Sequence, residues 1–134
     1  MVKVTDFRRL NAWKESHKLV LMVYRETGTF PKDERFGITS QLRGAGLSTV
    51  ASVAEGFGRF HFADRVRFYH QARGSLVEVQ SFLILAKDLG YLDQKTFENL
   101  WKQTKDCERL INGLIRSTKR QETRHKEDRQ ETNR

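Results

Sequence analysis

The sequence predicts an all-α protein folded as an up-and-down antiparallel four-helix bundle. Four segments repeat apolar residues at the three- and four-residue spacings of amphipathic helices, and almost all turn residues lie in the breaks between them. The chain has 134 residues, the size of one domain, and Pro31 is its only proline. A single hydrophobic core enclosed by helices with short connecting loops is therefore expected.

The first helix is predicted to begin near Asp6, whose carboxylate suits an N-cap, and to end around Gly28. Its apolar stripe follows helical spacing and comprises Phe7, Leu10, Trp13, His17, Val20 or Leu21, and Tyr24. Leu19, Met22 and Val23 widen this stripe beyond what one packing seam requires. Part of the helix is therefore expected to face a second contact surface, such as another subunit.

The second helix is predicted to follow Pro31, with Asp33 as its N-cap and with Gly56 and Gly58 at its end. Its middle, residues 44–54, consists apart from Leu47 of small and β-branched residues, and its glycine, serine, threonine and valine give the run a low helix propensity. Small side chains let neighbouring backbones approach closely. Tight packing is therefore expected to offset the low propensity.

The third helix is predicted over about residues 62–89, with Gly90 as its C-terminal cap. Its seam comprises Phe62, Val66, Tyr69, Ala72, Leu76, Val79, Leu83 and Ala86. Asp93 is the expected N-cap of the fourth helix. The seam of that helix comprises Phe97, Leu100, Thr104, Cys107, Ile111, Leu114 and Thr118. Alternating steps of three and four residues are typical of helices that pack in bundles.

Residues 119–134 contain no apolar residue and mix both charge signs. Such a segment cannot bury a core surface, which favours disorder. The predicted domain organisation is a four-helix bundle formed by residues 1–118 and a charged, disordered tail formed by residues 119–134.

Composition narrows the classes of function. Cys107 is the only cysteine, so it cannot form an intramolecular disulfide, and the N-terminus has no signal-peptide pattern; both observations favour a cytoplasmic protein. The longest apolar run, residues 19–24, is far below the roughly 20 residues of a membrane-spanning helix. The formal charge of +8 suits attraction to RNA or DNA by counterion release.

Six short motifs carry a family resemblance. The first two are SQLR at residues 40–43 and AEGFGR at residues 54–59. The others are Phe7 with Leu10 and Trp13, Phe30-Pro31, Gly74-Ser75-Leu76 with Glu78, and Leu89-Gly90-Tyr91-Leu92. These motifs resemble the S23-like four-helix-bundle proteins encoded in intervening sequences of bacterial large-subunit ribosomal RNA genes. The resemblance covers about residues 5 to 118.

The resemblance implies a ring-shaped homopentamer of up-and-down bundles. It also implies relatives among the accessory variability proteins of diversity-generating retroelements, which bind a reverse transcriptase and nucleic acid. The sequence departs from the common pattern at three positions of the second helix, where Gly44 replaces a basic residue, Val50 a proline and Ser52 an asparagine. No role tied to those positions is carried over.

Residues 57–73 are the strongest candidate for binding nucleic acid, because four arginines oppose one acid and aromatic residues are interleaved among them. Guanidinium groups bind phosphates bidentately, and exposed aromatic rings stack on unpaired bases. The candidate residues are Arg59, His61, Arg65, Arg67, His70 and Arg73, joined by Arg43 and by a second group of Arg8, Arg9, Lys14 and Lys18. The alternative is that Phe62 and Tyr69 belong to the core and that the arginines only solvate the outer face.

The sequence has no pattern typical of a catalytic site. Glu55 is expected to pair with Arg43 or Arg59, because a lone carboxylate does not form an acid–base pair. Cys107 lies on the seam of the fourth helix without a nearby histidine, so a buried thiol is expected rather than a nucleophile. No catalytic residue is assigned, and the chain is not predicted to be an enzyme.

Metal and cofactor sites are not predicted either. His17 is expected to be a hydrogen-bonded core histidine, and Trp13 and Trp101 are expected to anchor packing. Two-metal bundles use a pair of Glu-x-x-His motifs. Here that spacing occurs only at Glu122 and His125, in the predicted tail, and no phosphate-binding glycine loop is present.

The sequence therefore predicts a non-enzymatic accessory protein that binds RNA or DNA through basic surfaces of an oligomeric helical bundle. The resemblance adds a reverse transcriptase as an expected partner. The alternative is an oligomeric scaffold that binds only proteins and uses its positive charge to steer an acidic partner. Salt-sensitive binding to nucleic acid distinguishes the two.

Overall fold

The structure is a computed structural model that describes residues 5–132. Two short 3-10 helices span Phe7–Arg9 and Lys32–Glu34. The four α-helices are α1 (Asn11–Thr27), α2 (Ile38–Gly58), α3 (Phe62–Asp88) and α4 (Gln94–Thr132). This part of the chain contains no β-strand, in agreement with the predicted all-α class.

The helices form a four-helix bundle in which consecutive helices lie side by side. α2 packs against α1 and α3, and α4 packs against α3 and against α1, so α1 and α3 occupy opposite corners. Aliphatic side chains from all four helices form one continuous core that includes Leu19, Leu42, Leu76 and Ile111. Because the loops are short, neighbouring helices run in opposite directions.

The turn between α3 and α4 has the predicted caps. Gly90 has a φ of +81° and donates its N–H to the carbonyl of Lys87 at 3.0 Å, while the Tyr91 N–H reaches the carbonyl of Ala86 at 2.9 Å. This pair of bonds is a Schellman motif, which requires a left-handed residue and therefore favours glycine. Asp93 then accepts the Thr96 N–H at 2.7 Å and caps α4.

The other two predicted caps are wrong. Asp6 accepts the backbone N–H of Arg8 at 2.9 Å and so caps the short 3-10 helix, while α1 begins later, at Asn11. Asp33 lies within the second 3-10 helix, and Gly37 precedes α2 without any side-chain cap. In both places a 3-10 turn separates the acidic residue from the α-helix that follows it.

The buried face of α1 differs from the predicted stripe. The buried side chains are Ala12, Ser16, Leu19, Val23 and Thr27. Leu21, which was one of two alternatives for the core, is 58% exposed, and Tyr24 is also exposed. His17 is exposed and its ring stacks on Trp13 at 4.8 Å, so the expected core histidine is wrong.

Small polar residues explain this shift of the α1 core face. Ser16 and Thr27 are as fully buried as the aliphatic residues beside them. The buried Thr27 hydroxyl has a hydrogen-bond partner within its own helix, because it donates to the Val23 carbonyl at 2.7 Å. A pattern search that counts only apolar side chains overlooks such residues and selects the flank of the helix instead.

α2 packs closely against α3 at Gly56. A Cβ atom added there would lie 2.7 Å from a ring carbon of Tyr69 in α3. Tyr69 is only 2% exposed, so its ring lies directly against the α2 backbone. The helix ends at Gly58, as predicted, and the small residue at position 56 is what brings the two helices together there.

Cys107 and the two tryptophans occupy the expected kinds of environment. The Cys107 thiol is buried, and burial raises its pKa to about 12, so the reactive thiolate is strongly disfavoured. Trp13 is half-buried and packs against the core, with its ring edge-to-face on Phe7. Trp101 is half-buried and stacks on Phe97.

The C-terminal segment differs from the prediction of a disordered tail. α4 continues as a helix to Thr132, so residues 119–132 extend it beyond the bundle core. Thr118 is the last buried residue of α4, and nearly all side chains after it are exposed. Extending an existing helix avoids the cost of nucleation, and Lys, Arg, Gln and Glu are good helix formers, so no core contact is needed.

Candidate nucleic-acid interface

Residues 57–73 form the end of α2, its connection to α3 and the first turns of α3. Because the helices alternate in direction, the start of α1 and the C-terminal part of α4 lie at the same end of the bundle. Phe7 of the first 3-10 helix and Phe57 near the end of α2 line the same surface pocket, which confirms this placement. We call this end of the molecule, which comprises residues 5–18, 55–73 and 109–132, the basic end.

Charge is concentrated at the basic end. Its residues include fifteen Lys and Arg against eight Asp and Glu. All other described residues carry eight Lys and Arg against nine Asp and Glu. The net positive charge of the described chain therefore comes from one end of the bundle, and such an asymmetric field attracts polyanions.

Arg59 and Arg67 are both packed on Phe68. Their guanidinium carbons lie 4.5 Å and 4.6 Å from the centre of its ring, and Phe68 itself is buried. Arg59 also donates to Glu55 at 2.6 Å, which settles the expected partner of that carboxylate. Stacking fixes the planes of the two guanidinium groups. Arg67 also lies 3.8 Å from a carboxylate oxygen of Asp64, in a long ion pair. Both arginine side chains remain accessible to solvent, and Arg67 is the freer of the two because Glu55 holds Arg59 at 2.6 Å.

Arg65 has a structural contact that sequence reasoning did not identify. Its Nε donates to the backbone carbonyl of Arg59 at 2.7 Å, which fastens the start of α3 to the turn after α2. Its guanidinium also lies within 6 Å of the Phe57 and Phe62 rings. Arg65 is half-buried, so it stabilises this turn and offers less to a ligand than Arg67.

His70 and Arg73 form a second contact group on the edge between α3 and α4. Arg73 lies 3.1 Å from Nδ1 of His70 and donates to Asn112 of α4 at 3.2 Å. Partial burial, followed by the charges of Arg73 and Lys119, lowers the pKa of His70. The neutral imidazole is therefore favoured, and its Nδ1 accepts the hydrogen bond from the guanidinium.

The remaining predicted residues divide between the two ends. Arg8, Arg9, Lys14 and Lys18 are exposed at the basic end. The Arg8 guanidinium holds Asp6 in a bidentate pair and keeps the pKa of that carboxyl at about 2. Arg43 is separate from the others, because its Nε donates to Thr27 at 2.7 Å and its guanidinium lies over Tyr24, near the end of α1.

The aromatic residues of the segment differ in exposure. Tyr69 and Phe68 belong to the core, and Phe62 is half-buried, so the alternative assignment of Tyr69 to the core is correct. Phe60, in the turn, is 87% exposed. It is the aromatic residue of residues 57–73 that can offer a ring face to a ligand.

The structure adds residues that the sequence prediction assigned to the tail. An open groove of about 540 Å³ lies between the turn after α2 and the extended part of α4. His125, Lys126 and Arg129 line it from α4. Only their position on a continuous helix brings them to the basic end, and the absence of apolar residues in this segment gave no signal of that helix.

The described residues contain neither a metal-binding cluster nor a membrane-spanning helix. Among residues 5–132, no three His, Cys, Asp or Glu side chains lie close enough to hold a metal ion. No helix within that range is long and apolar enough to cross a membrane.

Comparison with known proteins identifies the family. No curated protein matches the sequence. A solved structure with the same fold is a protein of unknown function from the S23 ribosomal protein family of Bacteroides thetaiotaomicron VPI-5482. The two chains are 17% identical with a TM-score of 0.71, and the match covers 78% of this chain and 97% of the other. The model of the 23S rRNA-intervening sequence protein family matches residues 8–113, and the chain therefore belongs to that family.

Proposed function

We propose that the protein is a non-enzymatic accessory protein that binds RNA or DNA with the basic ends of an oligomeric bundle. The observation that carries the proposal is the concentration of charge: the basic end has seven more cations than acids, while the rest of the described chain is nearly neutral. Phosphate groups are bound chiefly by such clusters of Lys and Arg.

The side-chain geometry supports phosphate binding. Arg67 is stacked on Phe68 and stays exposed. Among the described residues its planar group has only a long ion pair, 3.8 Å from Asp64, and it can donate two parallel hydrogen bonds to a phosphate. Lys119, on the neighbouring helix α4, adds a cation close to His70 and Arg73 of α3. Binding through these contacts would recognise the backbone of a nucleic acid rather than its sequence.

Self-association is the second part of the proposal. A ring requires two different faces that fit each other, because its contacts are head-to-tail. Exposed apolar side chains lie on α1 and α2, at Leu21 and Leu47, and on α3, at Val77 and Ile84. Two such faces suit the homopentameric ring that the family resemblance implies. Several basic ends in one particle would then raise avidity for a polyanion.

The oligomer is tested by Val77→Glu. Val77 is 55% exposed, so the variant should fold normally, whereas a buried carboxylate would disrupt the contact between subunits. We expect light scattering to give five chain masses for the wild type and one for the variant. Gln71→Glu adds the same charge to another exposed position of α3 and should leave the mass unchanged. A monomeric wild type would contradict the ring.

Nucleic-acid binding is tested by anisotropy of labelled structured RNA and duplex DNA at about 50 mM salt, where electrostatic contacts are strongest. Binding of either probe is the expected result.

We also propose a reverse transcriptase as the protein partner and the cytoplasm as the location of the protein.

A protein-binding scaffold is the competing function. The exposed apolar side chains on α1, α2 and α3 favour it, because they suit partner proteins as well as sister subunits. If neither nucleic-acid probe binds, this function replaces the proposed one.

A further inference from the structure

The groove at the basic end is built from two distant parts of the sequence. Phe60, His61 and Phe62 line one wall, and His125, Lys126 and Arg129 line the other. The rings of Phe62 and His125 meet edge-to-face at 5.9 Å, which holds α4 against the start of α3. The volume of about 540 Å³ lies within the range of about 300 to 1,000 Å³ for small-ligand pockets.

Phe60 supplies an uncovered aromatic ring to this groove. It is 87% exposed, and its neighbour His61 contacts it perpendicularly, with ring centres 5.1 Å apart. A phenyl ring left in water costs free energy that stacking would recover. A flat, partly apolar ligand such as a nucleobase fits this contact.

The opposite wall supplies positive charge. Lys126 and Arg129 are three residues apart on α4, so they project from the same face of the helix. Both are exposed, and neither forms an ion pair within residues 5–132. Glu122 is the acid that lines the groove, and it opposes two cations. The balance favours an anionic ligand.

We infer that this groove binds an unpaired nucleotide of a single-stranded nucleic acid, with its base on Phe60 and its phosphates at Lys126 and Arg129. A duplex cannot use the groove in this way, because its bases are stacked on one another. The inference rests on the proposed function and adds to it a preference for unpaired segments. It also gives the C-terminal extension of α4 a role.

The test compares Phe60→Ala with Phe36→Ala. Phe36 is the matched control, since it is 83% exposed and lies in the loop before α2, at the opposite end of the bundle. Anisotropy is measured with labelled oligouridylate, oligothymidylate and duplex DNA, and melting temperatures verify folding. We expect Phe60→Ala to weaken single-strand binding about 5- to 100-fold, as loss of one base–aromatic stack does. Duplex affinity and the control should not change.

Each other outcome has a defined meaning. If the wild type binds single strands and Phe60→Ala binds them equally well, the inference fails while the proposed function stands. If Phe60→Ala loses duplex affinity to the same degree, Phe60 does not select unpaired bases and the inference also fails. If the wild type binds duplex DNA or structured RNA but neither single strand, the inference fails while the proposed function stands. If it binds none of these four probes, the proposed function fails and the inference fails with it. If Phe60→Ala weakens the binding of oligouridylate but not of oligothymidylate, the inference holds and RNA is identified as the ligand.

The phosphate contacts have their own test. The variant carrying Lys126→Gln and Arg129→Gln should reduce the slope of log affinity against log salt by about 1.4 for single strands, because each lost contact removes about 0.7. An unchanged slope would overturn the assignment of the phosphates to these two side chains.

Discussion

Replacing Gly56 by alanine is expected to destabilise the protein by about 1 to 3 kcal/mol, the range typical of overpacking a filled core. The added methyl group would lie 2.7 Å from a ring carbon of Tyr69 and 3.1 Å from Cβ of Phe68. Neither neighbour can withdraw, because both side chains are buried against α2. Urea unfolding followed by circular dichroism measures the change.

Gly74→Ala is the matched control for that experiment. Gly74 lies inside α3 and is exposed, and a Cβ atom there would meet nothing within 4 Å. We expect the free energy of unfolding to rise by about 0.5 to 1 kcal/mol, because alanine restricts the unfolded chain and favours the helix. Equal effects at the two positions would show that α2 and α3 are not in contact at Gly56.

Neutralising three cations of the basic end is expected to weaken nucleic-acid binding by about tenfold or more at low salt and to lower the salt slope by about 2. The variant carries glutamine at Arg9, Arg67 and Lys119. All three are exposed and lie on three different segments of that end. Each phosphate contact releases a counterion from the nucleic acid, so each lost contact lowers both the affinity and its salt dependence. Anisotropy at several salt concentrations gives both quantities.

A second triple variant controls for net charge. Glutamine at Lys32, Arg35 and Lys95 removes the same three charges from the opposite end of the bundle. Its affinity and slope should stay close to those of the wild type. If the two variants behave alike, binding depends on total charge, and the basic end is not the interface.

The helix boundaries at Gly90 and Asp93 were predictable from sequence because each depends on a local backbone or hydrogen-bond requirement. Gly90 adopts a positive φ, and Asp93 bonds the Thr96 N–H; both depend on nearby residues only. The same reasoning failed at Asp6 and Asp33. There an acidic residue starts a 3-10 turn, and composition alone does not tell that turn from the first turn of an α-helix.

The core face of α1 was not predictable from apolar spacing. Leu21 and Tyr24 fit a helical stripe as well as Leu19 and Val23 do, and packing against α2 and α4 decides between them. Ser16 at the centre of the true face weakens its apolar signal. Leu19 and Val23, predicted to widen the stripe toward a second contact surface, belong to the core instead, while Leu21 and Tyr24 are exposed. A contact of α1 with another subunit stays a prediction.

The candidate interface was predicted in outline and missed in part. Residues 57–73 were identified because their arginines and aromatics are close in sequence. The structural roles of Arg65 and His70 could not be inferred, since they depend on a backbone carbonyl and on Arg73. The contribution of Lys126 and Arg129 depends on the length of α4, which a polar composition does not reveal.

Binding to nucleic acid through the basic end is the central claim, and its salt dependence is the most direct test. Wild-type protein should bind structured RNA with a slope of about −3 in log affinity against log salt, which is a loss of about 60-fold between about 50 and 200 mM. That slope corresponds to about four phosphate contacts. An affinity that does not change over this range, or no binding at its lower limit, would contradict the account.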